Sequence, residues 1–439
     1  MTNSKNTWLC FFLLLTQSYY SHAKIPADTA DYYKTNYLRY EDYTYQPTIR
    51  TALLYKYGSD LSAPILELNG TDKLQLSFDD LDAVSKNLYY TFVHCDALWQ
   101  PSNLTTSDYI DGYAEDKITE YLFSFNTIQQ YIHYTLVFPG ETTKLTKSGN
   151  YIIKVFSDLD QTKLVLTKRF MIVDPKISIE ATVKPGMVLS DKSHKQEINF
   201  TITNKTYVID NPYGDVKVVL QQNARWDNCI TNLKPVFIKE NQLVYTYDEG
   251  NNFNGGNEFR IFDIRSLRLQ TEHIQKFEFD SSKKNNVYLV PDIDRHSKSY
   301  SSYPDIDGRF LINVTEGNNS DIEADYTFVH FNIPFDAPVV EGNLYVFGGL
   351  TNWRIDKRFL LKYNYRKFCY EGIVYLKQGY YNYQYVYVSD KDNKADETFM
   401  EGNYSGTEND YAIYVYHRGM GARYDQLIGV KQLNSLLGY

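Results

Sequence analysis

The sequence has few of the residues that form metal sites, disulfide frameworks or membrane spans. Among its 439 residues there are only four cysteines, and no two of them form a C-x-x-C pair. This wide spacing indicates neither a zinc site nor a dense set of disulfides, and it favours buried free thiols. No stretch reaches the roughly 20 apolar residues that a membrane-spanning helix needs.

The motifs of the common enzyme classes are also missing. The sequence contains no G-x-S-x-G turn, no H-E-x-x-H helix, no P-loop and no dinucleotide-binding fingerprint. His94 and Cys95 are neighbours, so on one strand they point to opposite faces and form no catalytic pair. We therefore predict a protein that is not an enzyme and uses no cofactor. Paired carboxylates for glycoside hydrolysis stay open, because a sequence does not show which acidic side chains approach each other.

The charge pattern argues against nucleic acid and metal ions as ligands. The formal net charge of −9 is spread along the chain, whereas nucleic-acid-binding proteins carry a basic patch. The acidic turns at residues 305–308 and 390–397 lack the spaced ligands and closing glutamate of a calcium loop. We predict no metal site and no nucleic-acid partner.

The first 23 residues are typical of a secretory signal peptide. Lys5 gives a short basic region, residues 8–15 form an apolar region, and residues 21–23 form a plausible cleavage site. Cys10 lies inside the apolar region, whereas a lipoprotein signal places its cysteine after it. We predict a soluble, exported chain without a transmembrane segment. At about 150 residues per domain, the remaining length suits about three domains.

Aromatic residues are what the sequence has in abundance. Forty-two tyrosines and 24 phenylalanines stand against 13 prolines and 23 glycines, and aromatic side chains fit the half-buried surface of a strand. Residues 74–78 alternate apolar and polar side chains, and Asn69-Gly70 before them is a typical turn. We predict an all-β protein of tandem immunoglobulin-like β-sandwich domains, at residues 24–175, 176–279 and 280–439.

The last predicted domain carries a row of phenols. Within the run 379–387, every second position from 381 onward is a tyrosine, so that four phenols share one face. They are Tyr381, Tyr383, Tyr385 and Tyr387. Such a row covers a core, contacts a protein or stacks on a glycan. With residues 346–353, which end at Trp353, this run resembles the glycogen-binding type of immunoglobulin-like module. That resemblance implies a glycan site, although the family's second binding tryptophan and its lysine have no counterparts here.

Several parts of the chain match one further family. In the first predicted domain the matching residues are 76–81, 89–90, 94–95, Trp99, Ser102, Leu104, Tyr109, Gly112, Tyr121, 124–127, Tyr131, 133–134, Pro139 and 148–151. Later matches are residues 254–260, 266–268, 407–411 and 423–429. With these residues the chain resembles the plug proteins of the type IX secretion system, which are exported proteins of gliding and gingipain-secreting bacteria. Leu98 departs from that family, where we expect a more polar residue.

The resemblance implies a role and not a reaction. Plug proteins seal the periplasmic opening of a very large outer-membrane translocon barrel when no cargo is passing. The implied location is the periplasm, at the inner side of the outer membrane, and the implied partner is the barrel protein. A β-sandwich of about 150 residues has a radius of gyration of about 15 Å, a reasonable size for a stopper. A plug that must leave needs a moderate interface with a polar rim.

Aromatic residues in loops are our predicted partner-interface positions. These candidates are Trp99, Tyr109, Tyr113, Phe253 and Trp353. The loop at residues 99–112 either faces the pore or is fixed by packing within its own domain. The alternative function is a periplasmic glycan-binding protein, in which Trp353 and the face of residues 379–387 contact sugar.

Overall fold

The computed structural model describes residues 36–247, 249–282 and 284–436. The predicted signal peptide, residues 1–23, lies outside these ranges. The described residues form β-sheets that pack in pairs into three sandwiches, which confirms the predicted all-β sandwich fold. No helix in the described ranges is long and apolar enough to cross a membrane.

The first sandwich contains twelve strands. They are β1 (Tyr43–Thr44), β2 (Ile49–Lys56), β3 (Ile65–Glu67), β4 (Leu74–Asp80), β5 (Leu88–Cys95), β6 (Ile110–Gly112), β7 (Glu115–Lys117), β8 (Glu120–Phe123), β9 (Ile132–Phe138), β10 (Thr143–Leu145), β11 (Gly149–Ser157) and β12 (Leu164–Val173). One sheet has the order β1-β12-β11-β5-β7, with β3 parallel to β12, and the other has the order β2-β4-β9-β8. Strands β6 and β10 form a small ladder beside them.

The alternation seen in the sequence explains how this sandwich forms. Leu74, Leu76 and Phe78 of β4 are fully buried between the two sheets, as their shared face predicts. Aromatic rings fill much of the same core, and Tyr151 stacks on Phe170 with 5.2 Å between ring centroids. The predicted first domain, residues 24–175, includes every strand of this sandwich, and its limits stay a prediction.

The second sandwich begins with β13 (Ser178–Pro185), β14 (Lys195–Thr203), β15 (Val216–Gln222), β16 (Phe237–Lys239), β17 (Gln242–Tyr245) and β18 (Asn252–Asn254). Its first sheet has the order β13-β14-β17-β16, with β18 beside β14. Strand β15 belongs to the facing sheet, and among the described residues up to 254 its only partner is an isolated bridge between Leu220 and Ile230. The sandwich is therefore incomplete at residue 254.

The third sandwich follows with ten strands. They are β19 (Arg260–Asp263), β20 (Ile274–Phe279), β21 (Asn285–Leu289), β22 (Phe310–Ile312), β23 (Tyr326–Pro334), β24 (Gly342–Phe347), β25 (Lys362–Asn364), β26 (Cys369–Lys377), β27 (Gly379–Ser389) and β28 (Ala395–Asp396). The long strand β27 pairs with β19 and β22 in its first half and with β24 and β28 in its second half. The facing sheet has the order β20-β21-β23-β26-β25.

The chain then returns to the second sandwich. Strands β29 (Asp410–His417) and β30 (Gln426–Asn434) join β15 in the order β15-β29-β30. The third sandwich is thus inserted into the second, and strand pairing does not follow the predicted boundary between residues 279 and 280. Strand β19 lies before that boundary and pairs with β27 after it. Local patterns show strands but not which distant strand each one joins, and for this reason the sequence did not reveal the insertion.

Short helices connect the strands. They are the α-helices α1 (Thr106–Tyr109), α2 (Pro212–Asp215), α3 (Ser320–Glu323) and α4 (Thr398–Glu401) and the 3-10 helices η1 (Gly349–Thr351) and η2 (Lys357–Phe359). None is longer than four residues. The fold therefore depends on sheet packing, and the helices only shape connections.

A buried ionic cluster joins the first sandwich to the third. The Asp79 carboxylate of β4 has no solvent exposure and accepts hydrogen bonds from Lys377 (2.7 Å), His133 (2.7 Å) and Tyr326 (2.8 Å). Burial alone would raise the pKa of Asp79, but the charge of Lys377 and the contact with His133 hold it below its ordinary value. Lys377 Nζ also donates to the Asp321 carbonyl (2.7 Å). The cluster is a single unit with members from both sandwiches.

Removing the cation of this cluster should destabilise the whole protein. Lys377→Met keeps the apolar stem but leaves the Asp79 carboxylate buried without its cation, which typically costs about 3–5 kcal/mol. We expect a correspondingly lower free energy of unfolding in urea denaturation. Lys276→Met is the matched control, because Lys276 and its partner Glu278 are exposed and such changes stay within about 0.5 kcal/mol. Equal effects of the two substitutions would contradict this role of the cluster.

Candidate interaction surface

Trp99, the first predicted partner contact, is a packing residue. It lies in the turn after β5 with φ of +63°, and its ring is 5% exposed. The ring meets Trp226 of the second sandwich edge to face at 4.9 Å, and the Arg169 guanidinium lies 4.6 Å from the ring centroid. A side chain with so little exposure offers little surface to a partner, and a partner contact by Trp99 stays a prediction. Its observed role is to join the first two sandwiches.

Tyr109 and Phe253 are buried as well. The Tyr109 hydroxyl donates to the Phe92 carbonyl at 3.0 Å, inside the first sandwich. Phe253 packs against Tyr411 at 5.5 Å in the core of the second sandwich. Both side chains hold their own domains together, so burial is at odds with the predicted partner contacts. The packing interpretation of the loop at residues 99–112 is the one that these positions fit.

Trp353 and the row of tyrosines do not form an exposed sugar platform. Trp353 is half-buried between Phe347 (5.4 Å) and Phe259 (5.8 Å), with the Arg225 guanidinium 4.7 Å from its ring. Three tyrosines of the row, Tyr381, Tyr383 and Tyr385, are buried in the third core. The hydroxyls of the last two donate to the Asp292 carboxylate at 2.7 and 2.6 Å. The burial of these side chains fits the packing interpretation of the row and leaves little of that face to contact a sugar.

Tyr113 is the one predicted interface residue with a large exposed surface. It directly follows β6, and 64% of its surface is accessible. Its N–H donates to the Thr142 carbonyl at 3.0 Å, which extends the contact between β6 and β10 by one residue. Gly112 before it has φ of +105°, and a Cβ there would lie 2.1 Å from the Thr142 oxygen. A partner contact by Tyr113 stays a prediction.

An exposed apolar surface lies in and directly after β8, and the sequence did not predict it. We call it the 121–128 patch, and it consists of Tyr121, Leu122, Phe123, Phe125 and Ile128, each 40–58% exposed. Apolar residues on both faces of a run usually indicate an inner strand. The sheet order instead places β8 at an edge, where β9 is its only partner strand within the part of the chain that the structure describes. Only the pairing of strands reveals that these side chains face solvent.

His94 and Cys95 have structural roles. The His94 ring packs against Tyr109, Tyr151 and Tyr424, and its Nε2 lies 3.1 Å from the Ser148 carbonyl. Burial lowers the pKa of His94 to about 4, so the ring is neutral near pH 7. Burial raises the pKa of the Cys95 thiol, which disfavours the reactive thiolate. Cys95, Cys229 and Cys369 are free thiols, and the first and third are buried.

A cleft of about 1580 Å³ lies where the three sandwiches meet, and Arg309 lies in its wall. The Arg309 guanidinium donates to the Leu61 carbonyl (2.9 Å), to Asp307 (3.1 Å) and to Asp410 (3.2 Å). These three acceptors belong to the first, third and second sandwich respectively. One side chain therefore connects all three sandwiches.

The carboxyl groups of Asp305 and Asp307 lie in surroundings that disfavour their charged forms. Burial raises the pKa of Asp305 to about 7. Burial and the neighbouring Asp410 carboxylate raise the pKa of Asp307, and Arg309 only partly opposes this. The groups lie at the junction of the second and third sandwiches. Their charge state therefore affects how well these sandwiches hold together.

Comparison with known proteins decides the family. A family model described as the type 9 secretion system plug protein 1st domain matches residues 49–174. A crystal structure of a hypothetical protein from Parabacteroides merdae is 35% identical, covering 91% of this chain and 100% of that one, with a TM-score of 0.86. The chain belongs to the type IX secretion plug protein family. No curated protein matches this plug-family chain.

The family match and the first sandwich coincide. Residues 49–174 contain β2 to β12, and therefore nearly all of both sheets of that sandwich. The same range contains Tyr113 and the 121–128 patch. The exposed aromatic surface of this plug-family chain thus belongs to its plug domain.

The junction carboxyls should make the stability of the plug-family chain depend on pH. A carboxyl whose pKa is higher in the folded than in the unfolded state binds more protons when folded, so its contribution to stability falls as pH rises. We expect the free energy of unfolding to decrease from pH 5 to pH 8, by at most about 1.4 kcal/mol per pH unit for each group. Asp307→Asn should flatten this decrease, as followed by urea denaturation at each pH. The exposed Asp392→Asn is the control, and identical profiles for both variants would refute the assignment.

Proposed function

We propose that this chain is the plug subunit that seals the periplasmic opening of the type IX translocon barrel when no cargo passes. The observation that carries the proposal is the family match over residues 49–174, which spans nearly the whole first sandwich. The partner is the barrel protein in the outer membrane. The site of action is the periplasm, at the inner side of that membrane.

The connections between the sandwiches support a stopper role. A seal against a wide pore must keep its shape under load, and flexible links between domains would allow leakage. The Asp79 cluster joins the first sandwich to the third, and the Trp99–Trp226 contact joins it to the second. Arg309 contacts all three. We therefore expect the three sandwiches to act as one body. If the first sandwich enters the pore, the other two stay below it.

The surface of the first sandwich suits a contact that must also release. Tyr113 and the 121–128 patch offer aromatic rings and aliphatic groups in small clusters, and polar residues surround them. Transient interfaces of this kind use aromatic residues at their centre and a polar rim. The role requires no reaction, and the neutral His94 and protonated Cys95 fit a non-enzymatic protein.

Removal of the chain should open the barrel. In cells that lack it, we expect increased entry of a large antibiotic such as vancomycin, because nothing occludes the idle pore. Expression of the full chain should restore the barrier, and deletion of the barrel protein as well should abolish the increase. Unchanged antibiotic sensitivity in cells that lack only this chain would refute the sealing role.

Contact with the barrel can be tested directly at Tyr113. A photo-crosslinking residue at position 113 of the full chain should give a covalent product with the barrel protein. The same residue at position 365, an exposed tyrosine of the third sandwich, is the matched control and should give less product. Absence of any product at either position, together with failure of the two proteins to co-purify, would overturn the proposed partnership.

A further inference from the structure

We propose that β8 is a docking edge, at which an extended strand from the barrel protein adds to the sheet of the first sandwich. The proposal rests on the proposed function and identifies the surface that carries it. The partner segment is a loop or terminal segment with basic residues beside an apolar stretch. A closed barrel has no free strand edge of its own, so this segment must lie outside the barrel wall.

The backbone of β8 offers free hydrogen-bonding groups on one side. Ser124 N–H donates to the Tyr131 carbonyl at 2.9 Å, across the ladder with β9. Because backbone groups alternate sides along a strand, Tyr121 and Phe123 direct their N–H and C=O groups away from β9. Phe125 follows the same alternation, and its N–H donates outward to the Ile322 carbonyl of α3 at 2.8 Å. Among the described residues, no such partner faces Tyr121 and Phe123.

Several of the usual protections of an edge strand are missing here, although β8 is only four residues long and α3 contacts the chain just beyond its end. Natural edges carry lysine, proline, a bulge or a covering segment that prevents pairing with other strands. Residues 119–130 contain no lysine, arginine, proline or glycine, and the ladder of β8 with β9 is regular. The side chains of Leu122 and Phe123 are 52% and 58% exposed on opposite faces of the strand. An added strand would cover both side chains and pair with the free backbone groups.

The chemistry of the edge favours a polypeptide over a lipid surface. Unpaired N–H and C=O groups are costly in a hydrocarbon environment, which offers them no partners. Two acidic side chains lie near the edge, namely the exposed Glu120 in β8 and Asp321 in α3, whose side chain is 51% exposed. Acidic groups repel anionic lipids and attract lysine or arginine. A basic extended strand satisfies the backbone, the apolar side chains and the charges together.

Three full-length variants test the backbone and side-chain contributions separately. Phe123→Pro removes both the ring and the outward N–H donor without breaking the ladder with β9, since proline is tolerated where its N–H position faces outward at an edge. The difference between this variant and Phe123→Ala therefore isolates the donor. Phe123→Ala removes the ring and keeps the donor. Phe237→Ala is the matched control, because Phe237 is 61% exposed on β16, which is an edge strand of the second sandwich. Thermal unfolding of each variant establishes that it is folded.

The measurement is the amount of each variant that co-purifies with the affinity-tagged barrel protein. We expect Phe123→Ala to reduce retention about tenfold, equivalent to about 1.4 kcal/mol, and Phe237→Ala to have no effect. Phe123→Pro should reduce retention further than Phe123→Ala, because it also removes the N–H donor, and equal losses for these two variants would refute backbone pairing at this edge. A photo-crosslinking residue at position 122 should give a product with a basic segment of the barrel protein. If Phe123→Pro does not fold, the crosslink from position 122 decides whether the barrel protein docks at β8.

Other outcomes separate the two proposals. Wild-type protein that is not retained by the barrel refutes the proposed function itself. Retention of wild type and Phe123→Pro in equal amounts refutes strand addition and leaves the plug role intact. A crosslink from position 122 to lipid also refutes docking of the barrel protein at this edge. The same holds if wild type is a dimer and Phe123→Pro is a monomer in gel filtration with light scattering.

Discussion

The fold depends on a carboxylate that has no contact with water. Asp79 lies on a core strand of the first sandwich, yet its principal cation, Lys377, comes from the third. A buried charge is tolerable only when its partners are fixed in place. The two sandwiches therefore cannot separate without exposing the Asp79 carboxylate to water or leaving it buried without Lys377. The cluster makes their relative position a condition of stability, in the way that a hydrophobic core does within one domain.

The many tyrosines serve the same purpose with neutral groups. Their rings fill cores, while their hydroxyls reach polar partners that phenylalanine would leave unsatisfied. Tyr383 and Tyr385 satisfy Asp292 inside the third sandwich, and Tyr416 of the second donates to Asn150 of the first at 2.8 Å. Buried tyrosines restrict which residues can pack beside them more strongly than aliphatic side chains do, because each hydroxyl needs one particular hydrogen-bond acceptor.

Local features of the fold were predictable from the sequence, and long-range ones were not. The alternation of Leu74, Leu76 and Phe78 identified a half-buried strand, because a period of two depends only on neighbouring residues. The sequence left open whether the loop that begins at Trp99 faces a partner or packs within the protein, because the burial of Trp99 involves Trp226, more than a hundred residues away. The 121–128 patch was overlooked for the opposite reason. Its composition is that of an inner strand, but it is exposed because no second strand in the described ranges pairs with β8.

The insertion of one sandwich into another sets an order for assembly. The first sandwich is contiguous in sequence and can close as soon as β12 has emerged. Strand β15 must wait for β29, whose residues lie some two hundred positions later. During that interval the second sandwich exposes its half-built core, and the inserted sandwich has to form in between. Loss of β29 and β30 would consequently unfold the second sandwich, which begins at β13. The third sandwich, whose strands directly precede β29 in the chain, would stay folded.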